Sequence, residues 1–264
     1  MNITTGYVVT LIKLGFLVAA LSITGCVSNA PKSANSENPA AASQQHIKLA
    51  LKYIGSDNRD LARVHLEKAA KHRSRSAQLY NAYALLYQSE QEFKLAEEFY
   101  QKALGRNKGY TLARYNFAAF LYNQGRLAEA REQITLVSED LGYERRAQAF
   151  YILGLTQKRM GDNPQALESF EKATQLSSGF PPPFLEAAEL YYQQKNYPLS
   201  KLALDRFRRL SQPTAQSLWL AVRVEERFGN LDKAASEGLK LKNLFPYSQE
   251  NLAYQAWLKK LIEK

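Results

Sequence analysis

The chain has 264 residues, of which 45% are hydrophobic and 23% charged, a composition typical of a globular protein. It carries 35 Lys and Arg against 25 Asp and Glu, a net charge of +10 at pH 7. Its single cysteine, Cys26, excludes disulfide-stapled scaffolds and zinc sites built on several cysteines. The low numbers of Gly and Pro, 13 and 9, favour long regular elements joined by short turns.

An apolar stretch near the start covers residues 14–23 and follows Lys13. Roughly 20 residues are needed to span a bilayer as a helix, so this stretch better suits the apolar part of a secretory signal. It ends in Ile-Thr-Gly-Cys26, which resembles the lipobox of bacterial lipoproteins. The resemblance implies that residues 1–25 are a signal peptide and that Cys26 is lipidated. The alternative is an unmodified cysteine within an ordinary signal region.

The residue after Cys26 is Val27, whereas an Asp there retains such lipoproteins in the inner membrane. We therefore expect an acyl anchor in the outer membrane, on its periplasmic face. Residues 27–42 contain mostly Ser, Asn, Ala and Pro. Such a segment buries too little apolar surface to fold, which predicts a flexible tether over residues 26–42.

From Ser43 onward a pattern recurs every 34 residues, with one interval of 36. A small residue stands at Ala62, Ala96, Ala130, Ala166, Ser200 and Ala234. A large residue follows four positions later at Leu66, Tyr100, Ile134, Phe170 and Leu204, and Gly238 is the exception. The pattern resembles the tetratricopeptide repeat (TPR), a helix-turn-helix unit. It implies an all-α solenoid, a right-handed superhelix of six repeats over 43–76, 77–110, 111–146, 147–180, 181–214 and 215–248.

The last segment, 249–264, is predicted to be a capping helix. Ser248 can cap its first turn, and its apolar residues share one face. These residues are Tyr254, Trp257, Leu258 and Leu261. A terminal repeat needs such a cover, because its core face would otherwise stay in contact with water.

The sequence contains none of the common hydrolase, zinc-protease or nucleotide-binding motifs. The histidines are His46, His65 and His72, and the last two lie two helical turns apart without a third metal ligand. We interpret them as surface histidines. The prediction is a protein that is not an enzyme, with no catalytic residue, no metal and no cofactor other than the lipid on Cys26.

The basic excess is concentrated in the first repeat, at Arg59, Arg63, Lys68, Lys71, Arg73 and Arg75. Export would separate the protein from nucleic acid, so nucleic acid is not expected as a partner. A solvated helix face is the favoured interpretation of these charges. Attraction to anionic lipid headgroups or to an acidic partner stays open.

A TPR array presents its first helices on a concave surface that binds partners. The groove positions of the family correspond here to Ile47, Leu51, Ile54, Leu85, Leu112, Tyr115, Tyr122 and Tyr151. This largely apolar lining suits an amphipathic helix that docks through residues at i, i+3 and i+4. The alternative is that these residues pack on neighbouring helices or on the tether. The Lys/Asn clamp of chaperone-binding TPRs is missing, because Leu85 and Ser89 stand at its positions.

The combination of lipobox, tether, six repeats and capping helix resembles the type IV pilus biogenesis lipoproteins of the PilF and PilW family, the pilotins. The resemblance covers the whole chain and lies in its architecture. It implies a monomer that binds the secretin subunit of the type IV pilus and promotes its localisation and multimerisation in the outer membrane. The further partners it implies are the lipoprotein sorting machinery and outer-membrane lipid. The alternative is a TPR lipoprotein that acts as a scaffold for peptidoglycan hydrolases or synthases.

Overall fold

The computed structural model describes residues 38–72 and 75–262, so the predicted signal peptide, Cys26 and most of the tether lie outside the described residues. Within these ranges the chain forms 13 α-helices and no strand. The helices are α1 Pro39–Gly55, α2 Arg59–Lys71, α3 Ala77–Ser89, α4 Phe93–Arg106, α5 Thr111–Asn123, α6 Leu127–Glu139, α7 Arg146–Arg159, α8 Asn163–Leu176, α9 Pro182–Gln193, α10 Tyr197–Leu210, α11 Ala215–Arg227, α12 Leu231–Leu244 and α13 Gln249–Ile262. Within the described ranges, none of these helices has the length and hydropathy of a membrane span.

The helices form two layers. Consecutive first helices of the repeats contact one another, as α3 does with α5, α5 with α7, and α9 with α11. No two consecutive second helices make a contact of that extent among the described residues. The first helices therefore form an inner layer and the second helices an outer layer, which confirms the all-α TPR fold.

The recurring small residues lie where the two helices of a repeat cross. Ala62, Ala96, Ala130, Ala166, Ser200 and Ala234 have no exposed surface. The large residues four positions later are also buried, and each contributes roughly 1.5–3 kcal/mol to folding. Ser200 is tolerated at this site because its hydroxyl donates a hydrogen bond of 2.8 Å to the carbonyl oxygen of Ala188.

Each repeat turns between its two helices through one residue with positive φ. Gly125, Gly161 and Gly229 have φ of 77°, 83° and 74°. The other three turns place Asp57, Gln91 and Lys195 in this left-handed region, at φ of 57°, 62° and 61°. A side chain there costs roughly 1–2 kcal/mol, which the packing of the two helices must offset.

Helix α1 begins at Pro39, so the last four residues of the predicted tether, 39–42, belong to the helix. The predicted tether was therefore too long. Proline suits the first turn of a helix, and the three alanines that follow have the highest helix propensity. Packing holds the helix directly after this segment, because the Ser43 hydroxyl is buried and donates a hydrogen bond of 3.2 Å to the carbonyl oxygen of Ala69.

The capping helix α13 explains the exception at Gly238. The ring of Tyr254 lies against this glycine, so closely that an added Cβ atom would come within 2.0 Å of the tyrosine Cζ atom. Tyr254 thus fills the space that a large side chain fills in the other repeats. The Ser248 hydroxyl accepts a hydrogen bond of 3.1 Å from the backbone N–H of Asn251 and caps the helix. Leu261 lies further along the helix and is 38% exposed.

Substitution of Gly238 by alanine is expected to destabilise the protein by about 1–3 kcal/mol, because the new methyl group overlaps the Tyr254 ring. The matched control is Gly105→Ala in α4, where a Cβ atom meets nothing within 4 Å. That variant is expected to gain about 0.5–1 kcal/mol from helix propensity. Urea unfolding followed by circular dichroism measures both. Equal stability of the two variants would show that Tyr254 does not pack on Gly238.

Candidate partner-binding groove

The predicted groove residues all belong to first helices, and seven of them are half-buried on the inner layer. We call these seven residues the inner groove: Leu51, Ile54, Leu85, Leu112, Tyr115, Tyr122 and Tyr151. Rigid helices hold each side chain, so the surface is formed before any partner arrives. Preorganisation of this kind lowers the conformational cost of binding.

Ile47 does not belong to the inner groove. Only 6% of its surface is exposed, and it lies in the first core cluster with Ala50 and Leu66. Helix α3 adds Leu79 to the same cluster, so the next repeat covers the position that was predicted to face a partner. Ile47 is a core residue.

The N-terminal end of the inner groove is aliphatic. Leu51 and Ile54 pack against the first core cluster, and Leu85 packs against the second, which contains Tyr100 and Phe120. Each of the three keeps part of its surface exposed. Covering that surface with apolar side chains of a partner would be favourable, at roughly 25 cal/mol per Å².

The central part of the inner groove is aromatic and is bordered by arginines. The Tyr115 ring lies 6.1 Å from that of Tyr143, and the Arg145 guanidinium lies 5.4 Å from the Tyr115 ring. Burial raises the pKa of Tyr115, while the charge of Arg145 opposes the shift. Arg159 lies 4.7 Å from the Tyr122 ring, and its Nη1 donates a hydrogen bond of 2.9 Å to the Tyr122 carbonyl oxygen. These cation–π contacts fix the rings.

Tyr151 forms the C-terminal end of the inner groove. Its ring meets Phe180 edge-on at 5.5 Å and also packs against Phe170. Burial, assisted by the negative charge of Glu186, raises the pKa of Tyr151 to about 12, so this phenol is neutral at physiological pH. It borders a pocket of about 470 Å³ that Leu185 and Glu250 also line.

Beyond Tyr151, the charges of the inner layer neutralise one another. Arg223 donates two hydrogen bonds to Glu189, at 2.7 and 3.2 Å, and stacks over the Tyr192 ring at 4.7 Å. Lys158 pairs with Glu186 at 2.6 Å in the same layer. These charges are already paired with one another, so a partner would gain little from them. The buried Nε of Arg223 has no hydrogen-bond partner among the described residues.

The N-terminal half differs in this respect. The ion pairs of the described residues include none between α1, α3 and α5. Helices α3 and α5 are instead joined by a hydrogen bond of 3.0 Å from the Asn116 side chain to the Asn81 side chain, and Asn81 is buried. Among the described residues, the inner face of the first three repeats is therefore apolar and has no ion pairs between its helices, which suits the docking of an amphipathic segment.

The three histidines cluster in the first repeat and are not simply solvated. His46 Nδ1 lies 3.0 Å from His65 Nδ1, and the His46 ring stacks on His72 with centroids 6.1 Å apart. The hydrogen bond needs one donor and one acceptor, so at least one of the two rings is neutral. Spacing along one helix relates only His65 and His72, whereas His46 comes from the other helix of the repeat. Among the described residues no group of three His, Cys, Asp or Glu is placed to hold a metal ion.

Comparison with known proteins supports the fold and identifies relatives. Residues 87–150 and 147–180 match tetratricopeptide repeat family models. Over 245 residues, 36% are identical to the type IV pilus assembly protein PilF of Pseudomonas aeruginosa, covering 92% of this chain and 97% of that protein.

Solved structures agree with these sequence matches. A Pseudomonas aeruginosa PilF structure superimposes with a TM-score of 0.79 at 36% identity, over 83% of this chain and 98% of that one. PilW, described as a widely conserved type IV pilus biogenesis factor, has a TM-score of 0.70 at 22% identity, over 80% and 97% of the two chains. The second likeness shows the fold alone.

Removal of the Arg223 side chain is expected to destabilise the C-terminal repeats by about 1–3 kcal/mol, because Glu189 would lose both hydrogen bonds while it stays largely buried. The matched control is Lys172→Ala, which removes an exposed i,i+4 pair with Glu168 and should cost less than about 0.5 kcal/mol. Urea unfolding of Arg223→Ala, Glu189→Ala and the double variant measures the coupling. A coupling energy near zero would show that the pair of Arg223 and Glu189 does not stabilise the C-terminal repeats.

Proposed function

The chain belongs to the family of the type IV pilus assembly protein PilF, and on this premise we propose that it is a lipid-anchored pilotin of the outer membrane. It binds the secretin subunit of the type IV pilus and promotes the localisation and multimerisation of that subunit in the outer membrane. Family membership makes it a TPR protein of type IV pilus biogenesis, and the pilotin role is the finer step of the proposal.

One observation carries the proposal: among the described residues, the inner groove of the first three repeats is apolar and has no ion pairs between its helices, whereas the charges of the inner layer beyond Tyr151 pair with one another. An amphipathic segment of the secretin subunit would bury its apolar face against Leu51, Ile54 and Leu85. Such a segment is prone to aggregate while the subunit crosses the periplasm, so covering it would keep the subunit competent for assembly.

In this proposal, lipidation of Cys26 determines the membrane to which the protein is delivered. The lipobox pattern and Val27 fit a lipoprotein that the sorting machinery moves to the outer membrane. Only 13 residue steps separate Cys26 from Pro39, where α1 begins. A chain of that length reaches at most about 45 Å, so the repeats and any bound subunit would stay close to the membrane.

Replacing Cys26 by alanine tests the anchor. We expect the total amount of secretin subunit to be unchanged, while its multimers in the outer-membrane fraction fall at least tenfold. Membrane fractionation and gel analysis of heat-resistant multimers measure this. The matched control is Ser28→Ala, two residues downstream, which leaves the lipobox intact. Normal multimers in the outer membrane of cells with the Cys26 variant would contradict the proposal.

The inner groove is tested by Leu51→Asp combined with Leu85→Asp. A carboxylate at each position would oppose an apolar partner, and we expect affinity for purified secretin subunit to fall at least tenfold, about 1.4 kcal/mol or more. The control is Leu239→Asp with Leu244→Asp, two leucines that are 57% and 58% exposed on α12. Secretin binding should be unchanged in this control.

A loss of binding supports the groove only if the variant protein remains folded. Circular dichroism of the groove variant must show a cooperative unfolding transition near that of the wild type. Because both leucines touch core clusters, the milder pair Leu51→Asn and Leu85→Asn is measured alongside. If both pairs unfold the protein, these residues are core and the groove assignment is wrong. Co-purification of peptidoglycan hydrolases or synthases in place of secretin would contradict the pilotin role.

A further inference from the structure

A second concave surface lies on the outer layer, between α8 and α10 and above α9. It encloses about 380 Å³. Its floor is Phe184, Ala187 and Tyr191 of α9, and one wall is Leu199, Leu202 and Ala203 of α10. We call it the outer groove. It belongs to the fourth and fifth repeats and is separate from the inner groove.

The outer groove exists because two positions hold alanine. In the second repeat the residue equivalent to Ala203 is Phe99, whose ring lies 5.2 Å from that of Tyr83 and 5.3 Å from that of Tyr87. Tyr83 is in turn equivalent to Ala187. The rings of Phe99 and Tyr83 thus occupy in the second repeat the space that is open in the fifth. The third, fourth and sixth repeats carry polar residues at the position of Ala203, namely Gln133, Ser169 and Glu237.

The walls of the outer groove expose large apolar side chains. Leu202 is 63% exposed and Leu199 is 39% exposed, beside a floor of half-buried rings. Such surface in contact with water is unfavourable, and contiguous apolar concavities on soluble domains commonly mark binding sites. Leu199 and Leu202 are spaced i, i+3, so both lie on the same side of α10.

Arginines continue this face toward the end of α10. Arg206 and Arg209 line the groove, and neither takes part in an ion pair among the described residues. Their neighbour Arg208 points elsewhere and pairs with Glu237 at 2.9 Å. On the opposite wall the Glu171 carboxylate accepts a hydrogen bond from the Tyr191 hydroxyl. The groove therefore has an apolar end and a cationic end, and the span from Leu199 to Arg209 is about 15 Å along the helix.

We propose that the outer groove is a second docking site, for a protein segment that carries two apolar side chains followed by carboxylates. The two apolar side chains occupy the space above Ala187 and Ala203. The carboxylates pair with Arg206 and Arg209, which present planar hydrogen-bond donors suited to them. A helix of about ten residues matches the length of the groove. The proposal is independent of the inner groove and of the secretin.

The tether of the same chain does not fit this description. Residues 27–38 contain a single large apolar residue, Val27, and a single acidic one, Glu37. They cannot supply two apolar anchors followed by carboxylates. Arg206 and Arg209 beside the apolar wall instead complement a partner chain that carries an acidic amphipathic segment.

The test selects binders without assuming the partner. A phage library of random 12-residue peptides is panned against the full chain in detergent, and the enriched peptides are synthesised with a fluorescent label. Affinity is measured by fluorescence polarisation for the wild type, for Ala203→Phe and for Arg206→Glu combined with Arg209→Glu. Ala203→Phe copies the arrangement that the second repeat already has at Phe99. The charge control is Lys94→Glu with Arg106→Glu, on the outer helix α4.

The expected result is a family of peptides with two apolar residues spaced i, i+3 or i, i+4 and with Asp or Glu beyond them. Their affinity should fall at least tenfold for both groove variants and stay within twofold for the charge control and for the Leu51 and Leu85 variant. Should Ala203→Phe lose its fold by circular dichroism, Leu202→Ser serves instead, since that side chain is largely exposed. Peptides that lack acidic residues, or that bind every groove variant as well as the wild type, would overturn the proposal.

Discussion

The close crossing of two helices in each repeat is the constraint on which the rest of the structure depends. A residue no larger than alanine or serine stands at every crossing and is fully buried. A bigger side chain would push the helices apart, since protein interiors have no spare volume. The crossing fixes which face of each first helix turns inward. Because neighbouring repeats stack through the same geometry, the inner layer is continuous from α3 to α7 and from α9 to α13. This continuous surface is formed by helices alone.

The N-terminal and C-terminal halves of the inner layer differ in their side chains. In the C-terminal repeats, charged side chains pair with one another. Arg223 donates two hydrogen bonds to Glu189, and Lys158 forms an ion pair with Glu186. In the first three repeats the equivalent surface is leucine, isoleucine and tyrosine, and its exposed apolar area has no partner within the described residues. Both halves have the same backbone, so the difference in binding potential comes from side chains that the helix crossing leaves free. Stability and recognition are therefore encoded at separate positions of the repeat.

Most of the fold could be predicted from the sequence, because the repeat is a local pattern: small and large residues at fixed spacing predict helix pairs and their buried faces. What could not be predicted depends on residues distant in sequence. Ile47 was assigned to the groove, yet Leu79 of the next repeat covers it. His46 joins His65 across two helices, which a search along one helix misses. Three of the six turns contain no glycine, so the sequence does not mark them. In these turns Asp57, Gln91 and Lys195 adopt positive φ because the packing of the two helices requires it.

The exception at Gly238 and the contrast between Phe99 and Ala203 show two ways in which one repeat can depart from the others. At Gly238 a core position is emptied, and Tyr254 of the capping helix fills it, so the change is compensated within the molecule. At Ala203 an outer position is emptied and nothing within the described residues fills the space, which leaves a concavity of about 380 Å³. A void in the core would weaken contacts on every side, whereas an open outer groove costs only the hydration of its apolar walls. Outer positions are therefore where a repeat array can acquire a new binding surface while the helix crossings, and with them the inner groove, stay unchanged.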